Sequence, residues 1–178
     1  AVVLAATATA LSAYLAFVSG ASLSPRHLSL VLAIFLVVGM VTAMLSSTDP
    51  QWWQMNLSAL GITHDISALT FNLTLIVSGI IITTIARFGT ASLPASTARQ
   101  RRRRGVVRTL FVLLGALLAC VGIFPVDRFF LLHNTVATGM GVAFAILVIG
   151  LPWLVPTMPK VFITLGFVYV GVIIALAV

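Results

Sequence analysis

Residues 68–124 read ALTFNLTLIVSGIIITTIARFGTASLPASTARQRRRRGVVRTLFVLLGALLACVGIF, two apolar stretches around a basic segment that contains no acid. A helix needs about 20 mostly apolar residues to cross the hydrocarbon core of a bilayer. The stretches at 68–88 and 106–124 have that length and are rich in Leu, Val, Ile and Ala. This segment therefore predicts two membrane-spanning helices joined by a basic loop.

The composition of the whole chain is typical of a membrane protein. Of its 178 residues, 61% are hydrophobic and 7% are charged, and the mean hydropathy is +1.20. A soluble domain carries about 25% charged residues, which cover its core with polar surface. The composition excludes an ordinary soluble protein, a disordered tail and a nucleic-acid-binding domain. The single cysteine, Cys120, forms neither a disulfide framework nor a CxxC motif.

Six stretches are long and apolar enough to span a membrane, at about 2–19, 28–47, 68–88, 106–124, 132–153 and 161–178. None alternates polar and apolar residues as a membrane β-strand does, and a backbone in lipid must satisfy its own hydrogen bonds. We therefore predict an all-α polytopic membrane protein, with six transmembrane helices in one bundle over residues 1–178. Because the chain starts with Ala1 rather than Met, we expect that residues precede it.

The distribution of Lys and Arg predicts the orientation, because these residues are enriched in cytoplasmic loops. The basic segment after the third span is placed inside. Alternation of the spans then places Arg26, His27 and Lys160 inside as well. Among the Lys and Arg residues, only Arg128 is predicted outside. All three acids and both chain termini are predicted to be extracytoplasmic, and the plasma membrane is the expected location.

The arginine run has two interpretations. The first, which we favour, is a topology anchor. The second is a binding surface for anionic lipid headgroups, worth about 1 kcal/mol for each Arg near the membrane. Nucleic acid is not an expected partner, because the run lies on a short segment between two spans. The candidate headgroup ligands are Arg99, Arg101, Arg102, Arg103, Arg104 and Arg108.

The longer outside loop contains Trp52 and Trp53 among mixed polar and apolar residues. Tryptophan prefers the headgroup level of a membrane, where its ring is buried and its N–H stays wet. The pattern predicts a short helix in the outer interface. It either covers a cavity between the spans, which would make the two tryptophans ligand-binding residues, or only anchors the protein, which is the default interpretation.

Polar residues predicted at the outer face form a second candidate site. The candidate ligand-binding residues are His64, Asp65, Asp127, Arg128, His133 and Asn134. Two imidazoles with a carboxylate, His64, His133 and Asp49, are the ingredients of a zinc site, and such a site can activate water for hydrolysis. No HExxH spacing supports it. The alternative is that the Asp and Asn side chains cap helix N-termini.

Asn72, about one turn inside the third span, is the remaining candidate ligand-binding residue. Amides within a membrane usually bond to another helix, and this interpretation is favoured over ligand contact. No Lys, Arg, Asp or Glu is predicted deep in a span, which argues against a proton-coupled carrier or an ion pump. The signatures of a lipid phosphatase and of a rhomboid protease are missing. We predict no catalytic residue and no cofactor.

Two stretches resemble the six-span bacterial membrane proteins of domain-of-unknown-function family 998. The first pattern of that family is a serine, LG, then FN, an aliphatic pair and SG. Residues 58–82, SALGITHDISALTFNLTLIVSGIII, resemble this pattern. The matching positions are Ser58, Leu60, Gly61, Phe71, Asn72, Ser78 and Gly79. Residues 122–137, GIFPVDRFFLLHNTVA, resemble its GxFP…H segment at Gly122, Phe124, Pro125 and His133. The resemblance covers about 28–152 and implies the six-span fold. That family is distantly similar to the DRAM/Frag/Sfk membrane proteins, which are linked to lipid organisation and membrane asymmetry.

Three hypotheses for the function follow. The leading one is a multi-pass membrane protein that binds or organises membrane lipids, with anionic headgroups at the cytoplasmic face, or that supports a membrane assembly. The second is a metal-dependent membrane hydrolase that uses the outer histidines and carboxylates. The third is a purely structural subunit, which would require a membrane-protein partner. On balance we expect a protein that is not an enzyme.

Overall fold

The computed structural model describes residue 20 and residues 24–62 and 65–177, and this part of the chain is helical. It contains five α-helices and two short 3-10 helices. The α-helices are α1 (Pro25–Ser46), α2 (Ile66–Gly89), α3 (Ala98–Ile123), α4 (Phe130–Leu154) and α5 (Lys160–Ala177). The 3-10 helices, Trp52–Gln54 and Leu57–Gly61, lie in the loop between α1 and α2. The prediction of an all-α fold is confirmed for the described residues.

Four of the described helices, α1 to α4, are long and apolar enough to cross a membrane. They contain 22, 24, 26 and 25 residues, and at a rise of about 1.5 Å per residue each exceeds a hydrocarbon core of about 30 Å. They match the second to fifth predicted spans. The sixth matches α5, which is apolar but shorter, and the first, at 2–19, lies outside the described residues.

Side-chain caps define where three of the helices begin. The Ser24 hydroxyl accepts from the His27 amide at the start of α1, and the Asp65 carboxylate accepts from the Ala68 amide at the start of α2. Thr97 and Gln100 form a capping box at the start of α3. Each cap provides an acceptor for an amide that has no partner in the first turn of a helix.

The helix α3 begins eight residues before the predicted fourth span, because the arginine run is helical. The sequence predicts a basic loop up to about residue 105, whereas the loop in the structure ends at the Thr97 cap. At about 1.5 Å per residue, α3 is about 39 Å long. It is therefore longer than a hydrocarbon core of about 30 Å, and its arginines lie in the first three turns of the helix.

Each of these helices packs chiefly against its neighbours along the chain, and the interface between α2 and α3 is the most extensive. Small residues bring the backbones together there: a Cβ atom at Gly79 would lie 2.8 Å from the Ala119 amide nitrogen. Gly122 meets the Asn72 carbonyl oxygen in the same interface, and Gly39 of α1 faces Thr74 of α2. Close contact through small residues is the usual way in which membrane helices associate.

The two ends of the bundle differ in charge. One end, which we call the arginine end, holds the starts of α1 and α3 and the ends of α2 and α4. The opposite end, which holds the loop with Trp52 and Trp53, is the tryptophan end. All three acids of the chain lie at the tryptophan end, in the loop after α1, at the start of α2 and between α3 and α4.

Candidate functional site

At the tryptophan end, Asp65 ties α1 to α2. Its Oδ1 accepts from the Ala68 amide at 3.1 Å. Its Oδ2 accepts from the Thr48 amide at 3.2 Å and from the Thr48 hydroxyl at 2.7 Å. These three donors satisfy the carboxylate within the protein, so the capping alternative describes Asp65. Asp49 makes a local turn instead, in which its Oδ1 accepts from the Gln51 amide at 2.8 Å.

Asn72 and Leu60 hold the loop that contains the tryptophans. The Asn72 side-chain amide donates to the Gly61 carbonyl oxygen at 3.1 Å. Leu60 is completely buried and packs in one cluster with Ala43 and Phe71. Asn72 therefore bonds within the protein, but to the second 3-10 helix of the loop and not, as the sequence predicts, to another of the long helices.

The two tryptophans have different surroundings. Trp52 packs against the cluster around Leu60, while Trp53 is 66% exposed. The sequence predicts one short interfacial helix here, and the structure has two 3-10 helices. Leu60 from the second of them fills the space between α1 and α2, so the loop closes this end of the bundle.

His133 joins the end of α3 to the start of α4. Its Nδ1 lies 2.7 Å from the carbonyl oxygen of Phe124, the residue that caps α3. A carbonyl oxygen only accepts, so Nδ1 carries the proton of this hydrogen bond. His133 is 4% exposed. The bond supplies a donor to one of the last carbonyls of α3, which lack partners within the helix.

Three further candidates of the outer cluster, Asp127, Arg128 and Asn134, are exposed. Asn134 follows His133 on the surface of α4. Arg128 approaches Asp127 at 3.9 Å, and its side chain is 65% exposed. Exposed ion pairs of this kind contribute about 0–1 kcal/mol.

The structure describes two of the three predicted metal ligands, Asp49 and His133. His64 lies outside the described residues. Within 24–62 and 65–177, no group of three or more His, Cys, Asp or Glu side chains is arranged to hold a metal ion. The other two predicted ligands, His133 and Asp49, instead make the internal bonds described above.

At the arginine end, six basic side chains surround the first turns of α3. We call this set the arginine collar; it consists of Arg99, Arg101, Arg102, Arg103, Arg104 and Arg108. Their spacing distributes them around the whole circumference of a helix with 3.6 residues per turn. Arg99, Arg101 and Arg102 are exposed, whereas Arg103 and Arg104 are half-buried.

Arg108, the innermost member of the collar, also holds α3 to the end of α2. Its Nε donates to the Thr90 hydroxyl at 3.2 Å, and that hydroxyl donates to the Ala86 carbonyl oxygen at 2.6 Å. Thr90 is 3% exposed. Arg108 therefore has a packing role in addition to its charge.

A cleft of about 160 Å³ opens beside the collar, between the start of α3 and the end of α4. We call it the arginine cleft. Its polar side consists of Gln100, Arg103 and Arg104. Its other wall is mostly apolar and comes from the loop before α3 and the end of α4: Leu93, Pro94, Leu154, Val155, Pro156 and Thr157. The cleft combines two guanidinium groups with an apolar surface.

The sequence predicts the arginines as candidate headgroup ligands, but it does not predict the cleft. The wall at 154–157 lies about 50 residues along the chain from Arg103, and only the packing of α4 on α3 brings it there. One signal was present: Thr97 and Gln100 have the spacing of a capping box, which predicts a helix start before the arginine run.

Comparison with known protein families, with curated proteins and with solved structures finds no match.

Proposed function

We propose that this chain is a six-span protein of the plasma membrane that binds and organises anionic lipid at its arginine end, which faces the cytoplasm. Four membrane-length helices, the apolar α5 and the apolar stretch at 2–19 support six spans. The excess of Lys and Arg at one end supports the orientation.

The observation that carries the proposal is the placement of the arginine collar on a continuous helix. A loop can carry its charges far from the membrane, but the turns of α3 that carry Arg99 to Arg104 continue directly into the apolar part of the same helix. Each Arg near an anionic surface contributes about 1 kcal/mol, or about fivefold in affinity. The acids that would compete for these arginines lie at the tryptophan end.

Trp153 provides a local measurement of lipid binding. Trp153 is 65% exposed near the end of α4, and it immediately precedes Leu154, the first residue of α4 that lines the arginine cleft. In a variant with Trp52→Phe and Trp53→Phe, it is the one remaining tryptophan of the three. We expect phosphatidylglycerol brominated on its acyl chains to quench Trp153 at lower concentration than brominated phosphatidylcholine. Neutralising two collar arginines should reduce this preference by about thirtyfold at low salt.

The matched control for this experiment is Arg128→Gln, which removes a basic charge at the tryptophan end. It should leave the lipid preference at Trp153 unchanged. Equal quenching by both lipids in the protein with its collar intact would show that the arginines do not select anionic lipid.

The orientation is tested by labelling single cysteines in intact cells. With Cys120→Ala as background, Ser92→Cys lies in the loop before α3 and Gln54→Cys in the loop of the tryptophan end, both at exposed positions. We expect a membrane-impermeant maleimide to label the cysteine at 54 directly and the cysteine at 92 only after permeabilisation. The reverse pattern would contradict the proposed orientation and the lipid leaflet assigned to the collar.

A further inference from the structure

The arginine cleft differs from the rest of the collar in burial and in shape. Arg103 and Arg104 are half-buried in its wall, whereas Arg99 and Arg102 are exposed on the same turns of α3. A volume of about 160 Å³ is below the range of about 300–1,000 Å³ that encloses a drug-sized ligand. The cleft therefore suits a small polar group whose apolar remainder extends out of it.

The donors of the cleft match a phosphodiester. Guanidinium groups bind phosphate oxygens through paired N–H bonds. The Gln100 Oε1 already accepts from the Ser96 and Thr97 amides at 3.0 and 3.1 Å. The side-chain Nε2 of Gln100 thus remains as a donor, and the Thr157 hydroxyl both donates and accepts.

The charge of the cleft comes from its side chains. The start of α3 contributes the positive end of a helix dipole and the end of α4 contributes a negative end, and these oppose one another. No acidic side chain is among the lining residues. A headgroup that carries an ammonium would meet two arginines and no carboxylate, so an amine-free headgroup is favoured.

We infer that the arginine cleft binds one anionic glycerophospholipid of the phosphatidylglycerol class, an inference that rests on the proposed lipid binding. Arg103 and Arg104 hold the phosphodiester, and Gln100 and Thr157 bond to the hydroxyl groups of the headgroup. Leu154 and Val155 contact the first carbons of the acyl chains. The remaining collar arginines attract anionic lipid without holding a particular molecule.

The test compares two variants with the same change in charge. Arg103→Gln with Arg104→Gln alters the cleft, and Arg99→Gln with Arg102→Gln alters the exposed part of the collar. Binding of phosphatidylglycerol to the full chain in detergent is measured by titration at low salt and at about 0.5 M salt, where the Debye length is about 4 Å. Native mass spectrometry counts the lipids that stay bound.

At high salt we expect the parent protein and the Arg99/Arg102 variant to retain one bound lipid, with affinities within about threefold of each other. The Arg103/Arg104 variant should lose about thirtyfold or more in affinity, because half-buried charges are screened less. Arg103→Lys with Arg104→Lys keeps the charge and tests the paired geometry. This lysine variant should also bind phosphatidylglycerol more weakly. It replaces the Arg103/Arg104 glutamine variant as the test if that variant does not fold.

The alternative outcomes are distinct. Equal losses in both glutamine variants at low salt, with no lipid retained at high salt, would overturn the cleft and leave the proposed function standing. No loss in either variant at low salt would overturn both. Competition by inorganic phosphate at the concentration at which phosphatidylglycerol binds would overturn the assignment to a lipid.

Discussion

The substitution Gly79→Ala is expected to destabilise the bundle by about 3 kcal/mol, near the top of the range for an overpacked site. The added Cβ atom would meet the Gly115 carbonyl oxygen and lie 2.8 Å from the Ala119 amide nitrogen. Both are backbone atoms, so no side-chain rotation relieves the clash. The helices α2 and α3 must separate, and their interface is the most extensive one in the described bundle.

The matched control is Gly141→Ala in the middle of α4, where an added Cβ atom has nothing within 4 Å. Alanine is favoured over glycine in a helix by about 1 kcal/mol, so this variant should be neutral or slightly more stable. Unfolding of both variants in mixed micelles, followed by circular dichroism, checks the difference. Equal stability of the two would mean that the close contact at Gly79 does not hold the helices together.

The second large effect is expected at Leu60. Leu60→Ala should cost about 2–5 kcal/mol, the range measured for large-to-small substitutions at buried sites. Leu60 is 0% exposed and packs with residues of α1, α2 and α3. Its loss leaves a cavity where the second 3-10 helix, Leu57–Gly61, meets these helices.

Leu57→Ala, in the same 3-10 helix, is the control because Leu57 is 47% exposed. It should change the free energy of unfolding by about 0.5 kcal/mol or less. Thermal unfolding in detergent measures the global effect, and protease cleavage in the loop at 51–62 measures local opening. If the two alanine variants were equally stable and equally resistant, the loop would not be packed as described.

The membrane-length helices were predictable because their signal is local. A run of about 20 apolar residues has few alternatives to a membrane helix, and α1, α2 and α4 lie within a few residues of their predicted spans. The start of α3 was missed because hydropathy treats arginine as a residue that ends a span. Arginine is nevertheless a good helix former, and the Thr97 cap sets the boundary.

The roles of His133 and Asp65 show why side-chain patterns were insufficient at the tryptophan end. His133 pairs with a backbone carbonyl oxygen of Phe124, and every residue has such a group, so the pairing leaves no mark in the sequence. The position of Asp65 before an apolar stretch predicts a helix cap, which the structure has, but its bonds to Thr48 depend on how α1 and α2 are arranged. The arginine cleft could not be predicted for a similar reason, because the residues of its two walls are far apart in the chain.

The packing of each described helix on its chain neighbours has a consequence for biogenesis. Contacts between neighbours along the chain close short loops, so the entropy lost in forming them is small and they form early. The contacts between α2 and α3 can form once residue 123 has left the ribosome, before α4 and α5 are made. The order of contacts therefore lets the bundle assemble during synthesis by adding one helix at a time to its chain neighbour.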